Sequence, residues 1–281
     1  MTRVTDVHIH VQPWWELKPE VFRAMTRGRA DLAELEQIMK SPARLLKRLD
    51  ADGIERAVLV NYPSPDRMGF TEKVNDYVAE YCAAAPDRLI PMGGVLPGPA
   101  ADAAAEVRRV AGLGVRALKV HPPHMGFAAN AYLDGLDGLR AIYEEAQRLR
   151  LVVMVHTGTS IFPGARSRLG EPMTVDDVAV DFPDLRIILA HGGRPLWMEQ
   201  AFFLVRRFPN VFMDVSSIPP TAVLRYFPRL VEVADKALYG SDWPSPGVKS
   251  MADNLRGFRS LALPEEAFTR ILETNARSLF P

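Results

Sequence analysis

Six histidines are spread along the 281 residues, at positions 8, 10, 121, 124, 156 and 191. Each closes or follows a short apolar, β-branched run: Val4–His10 holds the first pair, His124 follows Val115–His121, and Leu151–His156 and Leu185–His191 end on the other two. His8-Ile-His10 has the two-residue period that sends both imidazoles to one face of a strand. Asp242, in Gly240-Ser-Asp-Trp-Pro, closes another such run, Ala237–Asp242. Imidazoles and a carboxylate are the donor set of zinc or another borderline divalent ion. A lone His-x-His is weak, because structural histidines produce it often. With His156 and Asp242 at the ends of further strands, the pattern predicts one divalent metal, zinc foremost and manganese second, held by His8, His10, His156 and Asp242.

His191 stands in Ala190-His-Gly-Gly-Arg-Pro, where glycines let backbone approach a ligand closely, and is expected to be catalytic. Lys119 and His121 share a strand face, so both look inward. A lysine there needs an anion, a partner or carbamylation, and a binuclear site bridged by carbamylated Lys119 is the lesser alternative. His121, Lys119, Arg194 and Trp243 are the expected substrate contacts, with Arg166 and Arg168 as further cations and Trp14, Trp15 and Phe162 as apolar wall. Asp6 either orients a ligand imidazole or caps the far end of the strands. Cys82, in Tyr81-Cys-Ala-Ala-Ala, reads as a small buried apolar residue rather than a nucleophile.

To bring such distant residues together the strands must share a rim. Eight buried-strand candidates occur: Val4–His10, Arg56–Tyr62, Leu89–Val95, Val115–His121, Leu151–His156, Leu185–His191, Val211–Ser216 and Ala237–Asp242. Leu151-Val-Val-Met-Val is apolar on both faces, as a strand covered on both sides requires. Helical stretches intervene, among them one opened by Ser41-Pro42, with a capping hydroxyl before proline, and the amphipathic Asp102–Ala111 and Leu136–Leu149. Pro264-Glu-Glu opens the last, with Arg277 near its end. Eight strand–helix alternations predict a single (β/α)8 barrel over residues 1–281, whose strand C-termini form one mouth. Val11–Lys40 is expected to be a cap-like insertion after strand 1, and His124–Asp134 part of the pocket wall.

Composition narrows the function. Lys plus Arg and Asp plus Glu both number 34, so no net field draws in nucleic acid or an anionic membrane. The partner expected is a small-molecule substrate, with a homo-oligomer allowed. One cysteine permits no intrachain disulfide or cysteine zinc cage, and no signal-like apolar stretch opens the chain, so the expectation is a cytoplasmic protein. Neither Gly-x-Gly-x-x-Gly after a strand nor a P-loop occurs, which removes nucleotide cofactors.

His8-x-His10, His156-Thr-Gly, His191-Gly-Gly and Gly240-Ser-Asp242-Trp-Pro, in that order, resemble the amidohydrolase superfamily. More narrowly, they are similar to its amidohydrolase-related branch, with aminocarboxymuconate-semialdehyde-type decarboxylases and metal-dependent barrel hydrolases, and Ile271–Phe280 resembles that branch's last helix. The resemblance implies one metal on His8, His10, His156 and Asp242, with His191 acting on the substrate. The reaction expected is hydrolysis of an ester, lactone or amide of a small carboxylated or cyclic substrate. In it a metal-activated water attacks, Asp242 carries the proton, and His191 polarises the carbonyl. The alternatives are non-oxidative decarboxylation of an aromatic or muconate-like acid, and a metal-bearing barrel that binds without chemistry.

Overall fold

The computed structural model describes residues 3–281. Eight strands lie in one parallel sheet in chain order: β1 (Thr5–Ile9), β2 (Arg56–Val60), β3 (Leu89–Gly93), β4 (Ala117–Val120), β5 (Val152–His156), β6 (Arg186–Ala190), β7 (Val211–Asp214) and β8 (Ala237–Leu238). β8 is short, so closure onto β1 is made largely by the chain beyond it. Val7 N donates to Tyr239 O (3.0 Å), Asp242 N to His8 O (2.8 Å) and His10 N to Trp243 O (2.7 Å). The result is the expected (β/α)8 barrel. All eight predicted runs overlap a strand, and all the observed strands but β5 end before their predicted ends.

Val7, Val58, Val60, Met92, Val152, Met154 and Ile188 fill the barrel interior, while alternate strand residues pack outward against the helices. The helix Pro42–Asp52 takes Pro42 at its first position, yet the Ser41 hydroxyl makes no capping bond, contrary to the expectation. Pro264 is itself the N-cap of Glu265–Thr269. The insertion after β1 folds as a short 3-10 turn (Trp14–Glu16) and two helices (Pro19–Thr26 and Leu32–Ile38), and it reaches the barrel mouth through Gln12 and Met25. No helix among the described residues is long and apolar enough to cross a membrane.

Candidate functional site

The strand C-termini surround a cavity of about 240 Å³ lined by all six histidines, with Lys119, Arg194, Tyr62 and Asp242. His8 lies within β1, His156 ends β5, and His10, His121 and His191 follow β1, β4 and β6. His124 sits in the one-turn helix Pro122–Met125, not at a strand end. Trp243 corrects another expectation. It is fully buried in the core and does not line the cavity, because the chain after Asp242 turns inward to close the barrel. Trp14 is likewise core, Trp15 lies outside against Tyr77, and Arg166 and Arg168 stay away from the cavity, which Phe162 does line.

Hydrogen bonding fixes which nitrogen of His8 and of His10 carries the proton. His8 Nδ1 donates to Asp214 Oδ2 at 2.8 Å, and His10 Nδ1 to the Val60 carbonyl at 3.1 Å. Their Nε2 lone pairs therefore face Asp242 Oδ1, at 3.7 and 3.0 Å. Two nitrogens with lone pairs and an anionic oxygen at such distances repel unless a cation lies among them. Burial leaves His8 Nε2 and His156 Nε2 without any hydrogen-bond partner. One donor atom each of His8, His191 and Asp242 falls within 4.8 Å of the others. This donor set fits a divalent metal, with His10 and His156 at hand to complete it.

Behind the donors lies a network absent from the sequence reading. Asp214, the last residue of β7, accepts at Oδ1 from His191 N (2.9 Å), Ser216 N (3.0 Å) and Ser216 Oγ (2.5 Å). Since the Ser216 hydroxyl spends its one proton on Asp214, His191 Nδ1 must donate to Ser216 Oγ, 2.8 Å away. His191 Nε2 is then an acceptor. Polarising a carbonyl needs a proton there, so the expected oxyanion role gives way to ligation or proton acceptance. Val211-Phe-Met-Asp closes its run with a carboxylate just as Ala237–Asp242 does, and the same rim argument could have found Asp214. Asp6, by contrast, accepts from His8 N and Ser241 N (3.1 and 3.0 Å) and tethers β1 to the segment after β8, neither orienting a ring nor capping the far end.

Burial sets the charges. It pushes His8 down to about 4 and His124 to about 3, and holds His121, His156 and His191 well below the ordinary histidine value, so these rings are neutral. Asp242, although burial works the other way, is held below the usual carboxylate range, with the Arg194 guanidinium among the causes. Lys119 is lowered to about 8 by burial, against the pull of Asp214 and Asp242, and its Nζ has no hydrogen-bond partner. Arg194 forms no ion pair among the described residues, and its guanidinium makes one long bond, to Thr159 O at 3.5 Å. His124, His121 and His156 stack with centroids 3.6 and 3.9 Å apart, and His124 also bridges Tyr62 OH (2.9 Å) and Ser160 Oγ (2.8 Å). Asp242 and His191 both adopt left-handed backbone, φ 68° and 65°, a strain of the kind that gathers at functional sites.

The gamma-resorcylate decarboxylase of Rhodococcus jostii (strain RHA1) is 26% identical over 290 residues, covering 84% of this chain and 86% of that protein. An uncharacterised TIM-barrel protein of Bordetella bronchiseptica superposes with a TM-score of 0.79 at 23% identity, over 99% of this chain and 98% of the other. So does 5-carboxyvanillate decarboxylase of Novosphingobium aromaticivorans, complexed with manganese and 4-hydroxy-3-methoxy-5-nitrobenzoic acid, at 0.71 and 17% identity over 100% and 96%. The two structural likenesses carry the fold. The amidohydrolase family model matches residues 5–281, and this chain, a metal-dependent enzyme by that membership, belongs to the amidohydrolase family.

Proposed function

We propose that this enzyme is a non-oxidative decarboxylase of a small aromatic carboxylic acid. The observation that carries the reading is the likeness to gamma-resorcylate decarboxylase across 84% of the chain. The cavity supports it: a void of about 150 Å³ holds a benzene ring, and about 240 Å³ admits one substituted ring but little more. Arg194, an unpaired guanidinium at that cavity, offers a fork for a carboxylate. Hydrolysis of an ester, lactone or amide would use the same side chains, but a neutral ester leaves Arg194 and Lys119 without a counter-charge.

His8, His10, His156 and Asp242 would hold the metal, zinc or manganese, with His191 beside them; manganese is supported by its presence in the related carboxyvanillate enzyme. When bound, the metal supplies a positive centre that orients substrate oxygens and draws off negative charge. Arg194 binds and orients the substrate carboxylate. The stacked His124, His121 and His156 rings form one wall of the cavity against which the substrate packs. As the carbon–carbon bond breaks, carbon dioxide leaves and its electron pair stays on the ring carbon. Lys119 Nζ, protonated below about pH 8, gives that carbon its proton and is recharged from water. The test is turnover of γ-resorcylate and 5-carboxyvanillate by zinc- or manganese-loaded protein. Release of one carbon dioxide per substrate is expected; cleavage of a lactone or ester panel, with no carbon dioxide from any aromatic acid, would overturn the proposal.

A further inference from the structure

The far end of the barrel carries a second cavity, of about 590 Å³, within the size range of small-molecule sites. Four arginines line it: Arg56 opens β2, Arg186 opens β6, and Arg116 and Arg150 lie just before β4 and β5. No aspartate or glutamate lines it, and none of the four is within 4.0 Å of a carboxylate among the described residues. Chain neighbours behave otherwise: Arg148 is paired with Glu145 and Arg277 with Glu55. The four thus share the absence of a close carboxylate partner, although Glu55 and Asp87 act on Arg56 at longer range and Pro281 also lines the cavity.

Two of the four also have structural work. Arg56 Nη2 donates to Phe280 O (2.7 Å) and Arg186 Nη1 to Ser278 O (3.5 Å), which holds the C-terminal segment against the barrel, and Arg186 Nη2 also donates to Arg150 O (2.5 Å). That leaves much of the donor set unused. Arg56 is 7% exposed, and its Nε is buried without a partner. Arg116 and Arg150 are exposed, and their side chains make no hydrogen bond among the described residues. Like charge also acts within the group, since Arg150 helps lower Arg186 after burial. The opposite wall is apolar, with Leu89, Leu113, Leu151 and Phe280.

We infer that this cavity binds a small organic anion bearing at least two oxyanion groups, phosphate or carboxylate, on an apolar body. Planar guanidinium forks suit both groups bidentately. The site is separated from the catalytic mouth by the packed barrel interior, so its ligand is not the substrate. Calorimetric titration of the full chain with ADP and with citrate tests the inference and tells phosphate from carboxylate. One equivalent of at least one probe is expected to bind, at least tenfold more weakly to Arg116→Gln/Arg150→Gln, whose exposed positions leave the fold intact by circular dichroism. Binding should persist in Arg194→Met, which alters only the catalytic mouth. Failure of both probes to bind, equal binding by the double variant, or loss confined to Arg194→Met would overturn it.

Discussion

Lys119 is a buried amine without a partner, and its lowered value has two consequences. Its folded value of about 8 lies below the unfolded 10.5, so the folded state binds the proton less tightly. The associated loss of stability is complete below pH 8 and disappears as pH rises toward 10.5. Lys119→Met is thus expected to raise the Tm of the metal-free protein by several degrees at pH 7 and to leave it unchanged near pH 10.5, as read by calorimetric scans. The same variant should lower kcat at least tenfold, while the wild-type rate declines as pH passes 8; a wild-type rate flat from pH 7 to 10 would remove Lys119 as proton donor. Asp214 acts through other groups. Asp214→Asn weakens the acceptor that holds His8 and, through Ser216, His191 in their Nδ1-protonated forms. Metal affinity, measured by chelator competition, is expected to fall roughly 10–100-fold, the usual effect of losing a group that orients a ligand.

Elements place these residues through contacts that leave no room for a side chain. A Cβ on Gly158 would meet Arg194 O at 2.3 Å, and its φ of +122° is one that side chains rarely adopt. Gly158→Ala should displace the segment bearing Arg194, raising KM for an acid substrate more than it lowers kcat, with a Tm loss alongside; an unchanged KM would mean that Arg194 does not touch the substrate. The strands were readable because runs such as Val152–His156 are apolar on both faces, and the rim because histidines end several of them. Trp243 misled because an aromatic beside a rim carboxylate can point either way, and barrel closure turns it into the core. Asp214 was legible as a carboxylate that ends a strand run, whereas its bonds to His8 and, with Ser216, to His191 join residues more than 20 apart, which no local pattern records. At Ser41-Pro42 the residue types marked the helix start correctly but not the capping bond, which does not form.

At the scale of the whole barrel, the seam between β8 and β1 is the place where closure depends least on a regular ladder. β8 spans only Ala237–Leu238, and the rest of the seam is bonds such as Asp242 N to His8 O, with Asp6 bracing both sides. The proposed ligands straddle it: His8 comes from β1 and His10 from just after it, Asp242 from beyond β8, and His156 from across the mouth on β5. A cation held by all four would clamp this weak seam and bind only the folded chain. Such binding stabilises by about 2.7 kcal/mol at a metal concentration of 100 Kd. For a chain of this size that corresponds to a Tm rise of about 5 °C. Zinc or manganese added to chelator-stripped protein should produce this rise, and His8→Ala should abolish it while keeping the barrel's circular dichroism. A rise of equal size in His8→Ala would place the metal elsewhere, and no rise in the wild type would separate the seam from any metal. Either result would leave the convergence of His8, His10 and Asp242 to be explained by a proton shared among them.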